Sequence, residues 1–257
     1  MTEAAPLNAT VYEKIFAYCE RGMDPSFWAE PLNAVSNIAF VLTGLAGLWF
    51  IGRIAAERRS LYAWTLALLA LLIAIGSFLW HTVAERWAGA MDVIPIMIFM
   101  LLAVYALGRK VMGWPILAAF AGVGAFLVAG WAIAQIPCEG AACSSKGYGA
   151  AWLTLALSGG VLHRAVRPDQ AAAGRMLLYA AAVFTVSLTL RSLDKPTCDW
   201  FVWNGSPLGT HYWWHMLNAV TLYLVIRAFW LQEALSDHRR PSAAATLSAP
   251  PSAPSAA

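Results

Sequence analysis

Three histidines have the residue type and spacing to do chemistry together. His81 closes Gly76-Ser77-Phe78-Leu79-Trp80-His81, and His211 and His215 lie in Thr210-His211-Tyr212-Trp213-Trp214-His215. An i, i+4 spacing puts two imidazoles on one face of a helix, where both can hold a single cation, as in helical zinc sites. Three imidazoles and a water form the donor set of a catalytic zinc, which polarises a carbonyl and brings the pKa of its water toward ~7. Ser77 lies one turn before His81 on the same face, placed to hydrogen-bond a substrate carbonyl or the oxyanion formed from it. Asp92 follows a short connection holding Glu85, Arg86 and Trp87, at the expected start of a helix. There it is placed to take the proton of the water and return one to a leaving amine. Asn218 continues the face of His211 and His215 by one turn.

Plainer readings exist for each residue. The histidine pair can bond a neighbouring helix, and Asp92 can pair with Arg86 or cap a helix N-terminus. A pair of imidazoles can also bind haem, but that reading leaves Ser77 and Asp92 without a task and needs rings on opposite sides of a macrocycle. Transport is disfavoured because no acidic or basic relay continues to the other half of the chain's spans. The two remaining histidines, His163 beside Arg164 and His238 near the C-terminus, sit apart from this set.

The elements that must position these residues are set by composition. The chain is 60% hydrophobic and 12% charged, against about a quarter charged in soluble domains. Its 13 tryptophans suit interfacial belts, and the net charge of +3, with no single basic face, gives no expectation of nucleic-acid binding. Apolar runs long enough to cross a bilayer fall at 32–52, 61–82, 91–108, 114–136, 148–164, 175–192 and 211–230. The expectation is therefore an all-α, polytopic membrane protein with a seven-transmembrane helix bundle over 32–230. An extracytoplasmic segment, 1–31, precedes it and a disordered cytoplasmic tail, 231–257, follows, the latter rich in Ala, Pro and Ser. In the fourth span, Gly122, Gly124 and Gly130 form a pattern that allows close helix approach.

With the N-terminus outside, the inner side receives eleven of the 17 basic residues, among them Arg53, Arg58, Arg109, Lys110, Arg239 and Arg240. The positive-inside rule thus puts the N-terminus outside and the C-terminus in the cytoplasm. On this topology His81 ends its span at the depth where His211 and His215 begin theirs. All four cysteines, Cys19, Cys138, Cys143 and Cys198, fall on the outer side, where disulfides persist. Three pairings are open, with Cys19–Cys198 plus Cys138–Cys143 as the working expectation.

Three blocks carry a family resemblance over about residues 17–230. They are Tyr18-Cys19-Glu20-Arg21 with Phe27 through Asn37, Gly76-Ser77 through His81 to Asp92, and His211 through His215. Together they resemble the alkaline ceramidases, within a wider group of seven-span hydrolases that also holds adiponectin-type receptors and GPI-remodelling proteins. The resemblance implies zinc on His81, His211 and His215, Asp92 as proton shuttle and Ser77 at the scissile amide. It implies hydrolysis of ceramide or a similar N-acyl lipid; the alternative is a non-catalytic receptor with structural zinc. It also implies a Cys19–Cys198 disulfide. The family's eukaryotic members carry calcium in the N-terminal block, and Glu20 and Glu30 match that pattern, with Asp24 as a compensating ligand. However, Ala17 and Gly22 stand where the pattern has an aspartate and an asparagine, and Glu30 has Arg21 or Arg86 as alternative partners. Compact loops and the alanine-rich tail look bacterial, which makes the expected host an inner membrane with the site facing the periplasm.

Overall fold

A computed structural model describes residues 11–54, 56 and 59–235. Among them the chain forms seven helices: α1 (Pro31–Gly52), α2 (Leu61–Val83), α3 (Arg86–Val111), α4 (Ile116–Gln135), α5 (Gly149–His163), α6 (Pro168–Leu193) and α7 (His211–Leu235). Each packs on the next, and α7 closes the ring against α1 while also touching α2. The all-α expectation stands. Five helices, α1 to α4 and α6, are long and apolar enough to cross a membrane. The 15 residues of α5 reach about 22 Å, and α7 interrupts its apolar run with His211, His215, Asn218, Arg227 and Gln232. Length and composition thus mark five of the seven expected spans.

Two helices start earlier than the apolar runs. Helix α3 begins at Arg86 and α6 at Pro168, because backbone hydrogen bonding continues into polar flanks that hydropathy does not register. Asp92 therefore lies in the second turn of α3, not at its start. Helix α7 continues through residues 231–235, the first of the expected tail, with Trp230 Nε1 donating to the Phe50 carbonyl and Gln232 buried. The rest of that tail, with His238, Arg239 and Arg240, lies outside the described residues, as do Arg58 and the first ten residues. No neighbouring helix backbone uses the close approach that the glycines of the fourth span allow. A Cβ added at Gly124 would meet open space, at Gly122 a Trp114 ring, and at Gly130 only an ordinary contact with Ala150.

Helix α1 is broken at Asn37, between Pro31–Ser36 and Ile38–Gly52. The Asn37 carboxamide donates back to the carbonyls of Asn33 and Ala34, a side-chain bond that competes with the helical ladder. The short first piece, with Asn33 and Ser36, packs against α2 and α7.

At that end the N-terminal segment acts as a cap. The last turn of a helix leaves carbonyls without partners and carries partial negative charge, and at α2 each is met from residues 14–21. Lys14 Nζ donates to the Val83 carbonyl, the Ile15 amide to that of Ala84, and Arg21 Nη2 to those of His81 and Thr82. The same segment grips the start of α7. Buried Asp194 accepts the amides of Cys19, Thr210 and His211 at 2.8–3.0 Å, and disulfides join Cys19 to Cys198 and Cys138 to Cys143. Gly209, with φ of +63°, sits at this junction, where a Cβ would strike Asp194 and Cys19. A Gly209→Ala substitution adds left-handed strain worth about 1–3 kcal/mol to that overlap. It is expected to lower the thermal midpoint of the purified protein by several degrees, measured with tryptophan fluorescence; an unchanged midpoint contradicts the locked junction.

Candidate metal centre

His81 leaves the last turn of α2, and His211 and His215 line the first two turns of α7. All three are 1–2% exposed, and their ring centroids lie 4.6 to 5.2 Å apart. One nitrogen from each comes within 4.8 Å of the others, the only such cluster of metal-ligating side chains among the described residues. No haem fits between rings this close.

Hydrogen bonds fix which nitrogens face inward. Glu30 Oε2 lies 2.6 Å from His81 Nδ1, so that nitrogen carries the proton and donates to the carboxylate. Ser36 donates its hydroxyl to the Asn33 carbonyl and lies 2.7 Å from His215 Nδ1. With its own proton committed, Ser36 accepts from His215 Nδ1–H. Both rings thereby present a bare Nε2, held by oxygen partners on the far side as metal-ligating histidines generally are. His81 Nε2 and His211 Nδ1 are buried without a hydrogen-bond partner. Unpaired buried nitrogens are costly, and a cation among the three rings would satisfy them. The residues present therefore fit a metal ion.

Beside the histidines, α2 and α3 touch at a point set by two residues. Pro95 has no N–H for the Met91 carbonyl one turn earlier. That freed carbonyl rests directly on Gly76, where a Cβ would overlap it. The contact brings the Asp92 carboxylate against the Ser77 hydroxyl and within electrostatic reach of His81. Asp92 does not pair with Arg86, which instead meets Glu13 at 2.8 Å.

Several contributors were not evident as such in the sequence. Tyr18 covers the cluster, its ring 3.9 Å from that of His211 and 4.9 Å from that of His81, and its hydroxyl accepts from Trp80 Nε1. Desolvation pushes the Tyr18 phenol well above its ordinary range, so it stays protonated. Arg191 lies over the rings of Tyr148 and Trp214 and reaches Ser144 and Ser145. In the sequence Arg191 shows only as a charge near the end of an apolar run. The polar series Glu30, Asn33, Ser36 and Asn37 did carry a signal, since polar groups at helical spacing in an apolar span require partners.

Below the histidines a cavity runs into the bundle, lined by apolar side chains such as Ile96, Phe99, Leu177 and Phe184. Asn218 and Tyr148 are among its few polar groups. Above them an open crevice is lined by Tyr18, Ser144, Arg191 and Lys195.

The three carboxylates expected around calcium do not converge. Glu20 accepts the amides of Leu32 and Asn33, and Asp24 accepts that of Ser26. Glu30 accepts from Arg21, Asn33 and His81. Burial pushes the Glu30 carboxyl up, but the His81 and Arg21 bonds outweigh it and hold the group below its ordinary range. These residues do not fit a calcium ion.

Compared with known families, residues 16–250 match the family model described as Ceramidase. No curated protein and no solved structure matches the chain.

Proposed function

This chain belongs to the ceramidase family, and on that premise we propose that it is a zinc-dependent intramembrane hydrolase. It cleaves the amide bond of ceramide or a related N-acyl lipid, giving a sphingoid base and a fatty acid. The observation that carries the reading is the buried triplet of histidines, two of which, His81 and His211, hold a buried nitrogen without a hydrogen-bond partner, set beside Asp92 and Ser77.

His81, His211 and His215 hold the zinc. When bound, the ion acidifies a water and polarises the scissile carbonyl. Ser77 hydrogen-bonds the carbonyl oxygen and steadies the charge that develops on it. Asp92 removes the proton as the water oxygen bonds to the carbonyl carbon, then delivers it to the amine nitrogen as the C–N bond breaks. The acyl chain descends into the apolar cavity, and the polar end of the lipid lies toward the crevice at Arg191 and Lys195. Glu30 and Ser36 keep the two rings in the tautomers that face the metal.

All seven helices span the membrane on this reading. The described basic residues at the end opposite the site, including Arg53, Arg109, Lys110, Arg164 and Arg167, lie on the cytoplasmic side. The site then opens outward, to the periplasm of a bacterial inner membrane. That depth suits ceramide, whose amide lies just beneath the headgroups.

A non-catalytic receptor with structural zinc is the competing reading. It needs neither a carboxylate nor a hydroxyl beside the histidines, and both are present. Purified protein is expected to hold one equivalent of zinc, to release fatty acid from a fluorescent ceramide, and to lose and regain turnover on zinc removal and return. Bound zinc without release from any N-acyl lipid supports the receptor instead.

The α2–α3 contact supplies a separate prediction. A Gly76→Ala side chain pushes α3 away through the Met91 carbonyl and moves Asp92 from Ser77. Misplacement on the order of 1 Å costs about 100-fold in rate. Turnover is therefore expected to fall by about that factor with zinc content unchanged; normal turnover contradicts the role given to this contact.

A further inference from the structure

Arg21 is 2% exposed, and every N–H on its guanidinium is matched to an oxygen. Nε donates to Glu30 Oε1 at 2.5 Å. Nη1 donates to the Asp24 and Ser26 carbonyls at 3.1 and 2.9 Å, and Nη2 to the His81 and Thr82 carbonyls at 2.8 and 3.2 Å. A guanidinium has five N–H donors and all five are used. The acceptors come from three places in the chain: a loop at 24–26, the residue preceding α1, and the end of α2.

One carboxylate and four carbonyls are the kind of oxygen cage that a hard divalent cation takes. Here a side chain occupies it. The other two carboxylates of the N-terminal block are turned to backbone amides, and Ala17 and Gly22 offer no side-chain oxygen. The cage also touches the metal centre. Glu30 gives one oxygen to Arg21 and the other to His81 Nδ1, while Arg21 holds the carbonyl of His81 itself. Remove the guanidinium and Glu30 becomes a buried carboxylate without a full cation beside it, which is strongly unfavourable.

We propose that Arg21 is a built-in cation: its guanidinium fills an oxygen cage that would otherwise require a bound metal, positions Glu30 and the end of α2, and thereby sets His81 for the zinc without calcium. Arg21 is a positioning residue that acts through Glu30. The inference rests on the zinc reading above for its link to His81, but the occupation of the cage stands apart from it.

The test uses the full-length protein purified in detergent and measures zinc affinity against a competing chelator, together with the thermal midpoint. Wild-type protein is expected to show the same zinc affinity and midpoint with millimolar calcium or with a calcium-selective chelator. Arg21→Ala is expected to bind zinc about 10- to 100-fold more weakly, the usual effect of losing support behind a ligand. Added guanidinium or calcium is expected to restore much of that loss, and sodium chloride at matched ionic strength is not. A wild-type midpoint that rises with calcium overturns the proposal, as does an Arg21→Ala variant that binds zinc as tightly as wild type. Weakened binding that neither cation restores also overturns it, by reducing Arg21 to a packing role. If Arg21→Ala does not fold, Arg21→Lys decides. It keeps the charge but not the five-donor fork, and wild-type affinity in that variant sinks the proposal. Wild-type protein that binds no zinc defeats the zinc reading, and the calcium dependence of the midpoint then judges the cage alone.

Discussion

An Asp92→Asn variant is expected to lose about 10²- to 10⁴-fold in kcat, the range that a general acid–base group contributes, while still holding one equivalent of zinc. Asparagine preserves shape and much of the contact with Ser77, so α2 and α3 stay in place. What disappears is the capacity to accept a proton from the water and hand it to the leaving amine. Single-turnover fatty acid release and metal analysis on the same sample separate the two roles. Retained zinc with kcat within threefold of wild type would remove Asp92 from the reaction. Lost zinc would make it part of the metal's support instead.

His215→Ala is expected to abolish both zinc binding and turnover. The variant leaves two rings, His81 and His211, and too few protein donors for a catalytic zinc site. It also leaves Ser36 facing a gap. His163→Ala serves as the control. His163 is exposed at the far end of α5, so its removal is expected to leave zinc content and turnover unchanged. Full zinc occupancy in His215→Ala is the outcome that would break the three-histidine assignment.

How far these expectations could be read from sequence varies from residue to residue. The pair at 211 and 215 was legible because helical periodicity alone puts both rings on one face. The meeting with His81, 130 residues away, needed a second argument, that one span ends at the depth where another begins. Asp92 was legible as a carboxylate in the right region but was placed at a helix start. Hydropathy marks where apolar residues begin and is blind to the extra turns that Arg86 and its neighbours add. The holders of the rings were less visible. Ser36 meets His215 across 179 residues of chain, a pairing that no local pattern announces. Arg21 was legible as a partner for Glu30, and the two do pair, but nothing in a linear pattern says that four backbone carbonyls from distant segments will complete its surroundings.

The bond between Cys19 and Cys198 also changes what a cut in the backbone means. Because it joins the segment that precedes all seven helices to the loop that precedes the seventh, a single nick anywhere between these two residues leaves both fragments on one covalent molecule. Cleavage in the connection between α4 and α5, for instance, produces a species that migrates as one band on a non-reducing gel and as two after thiol treatment. Nicked protein would thus keep its histidine-bearing pieces tethered to each other, and intactness of the polypeptide and intactness of the catalytic assembly become separate questions.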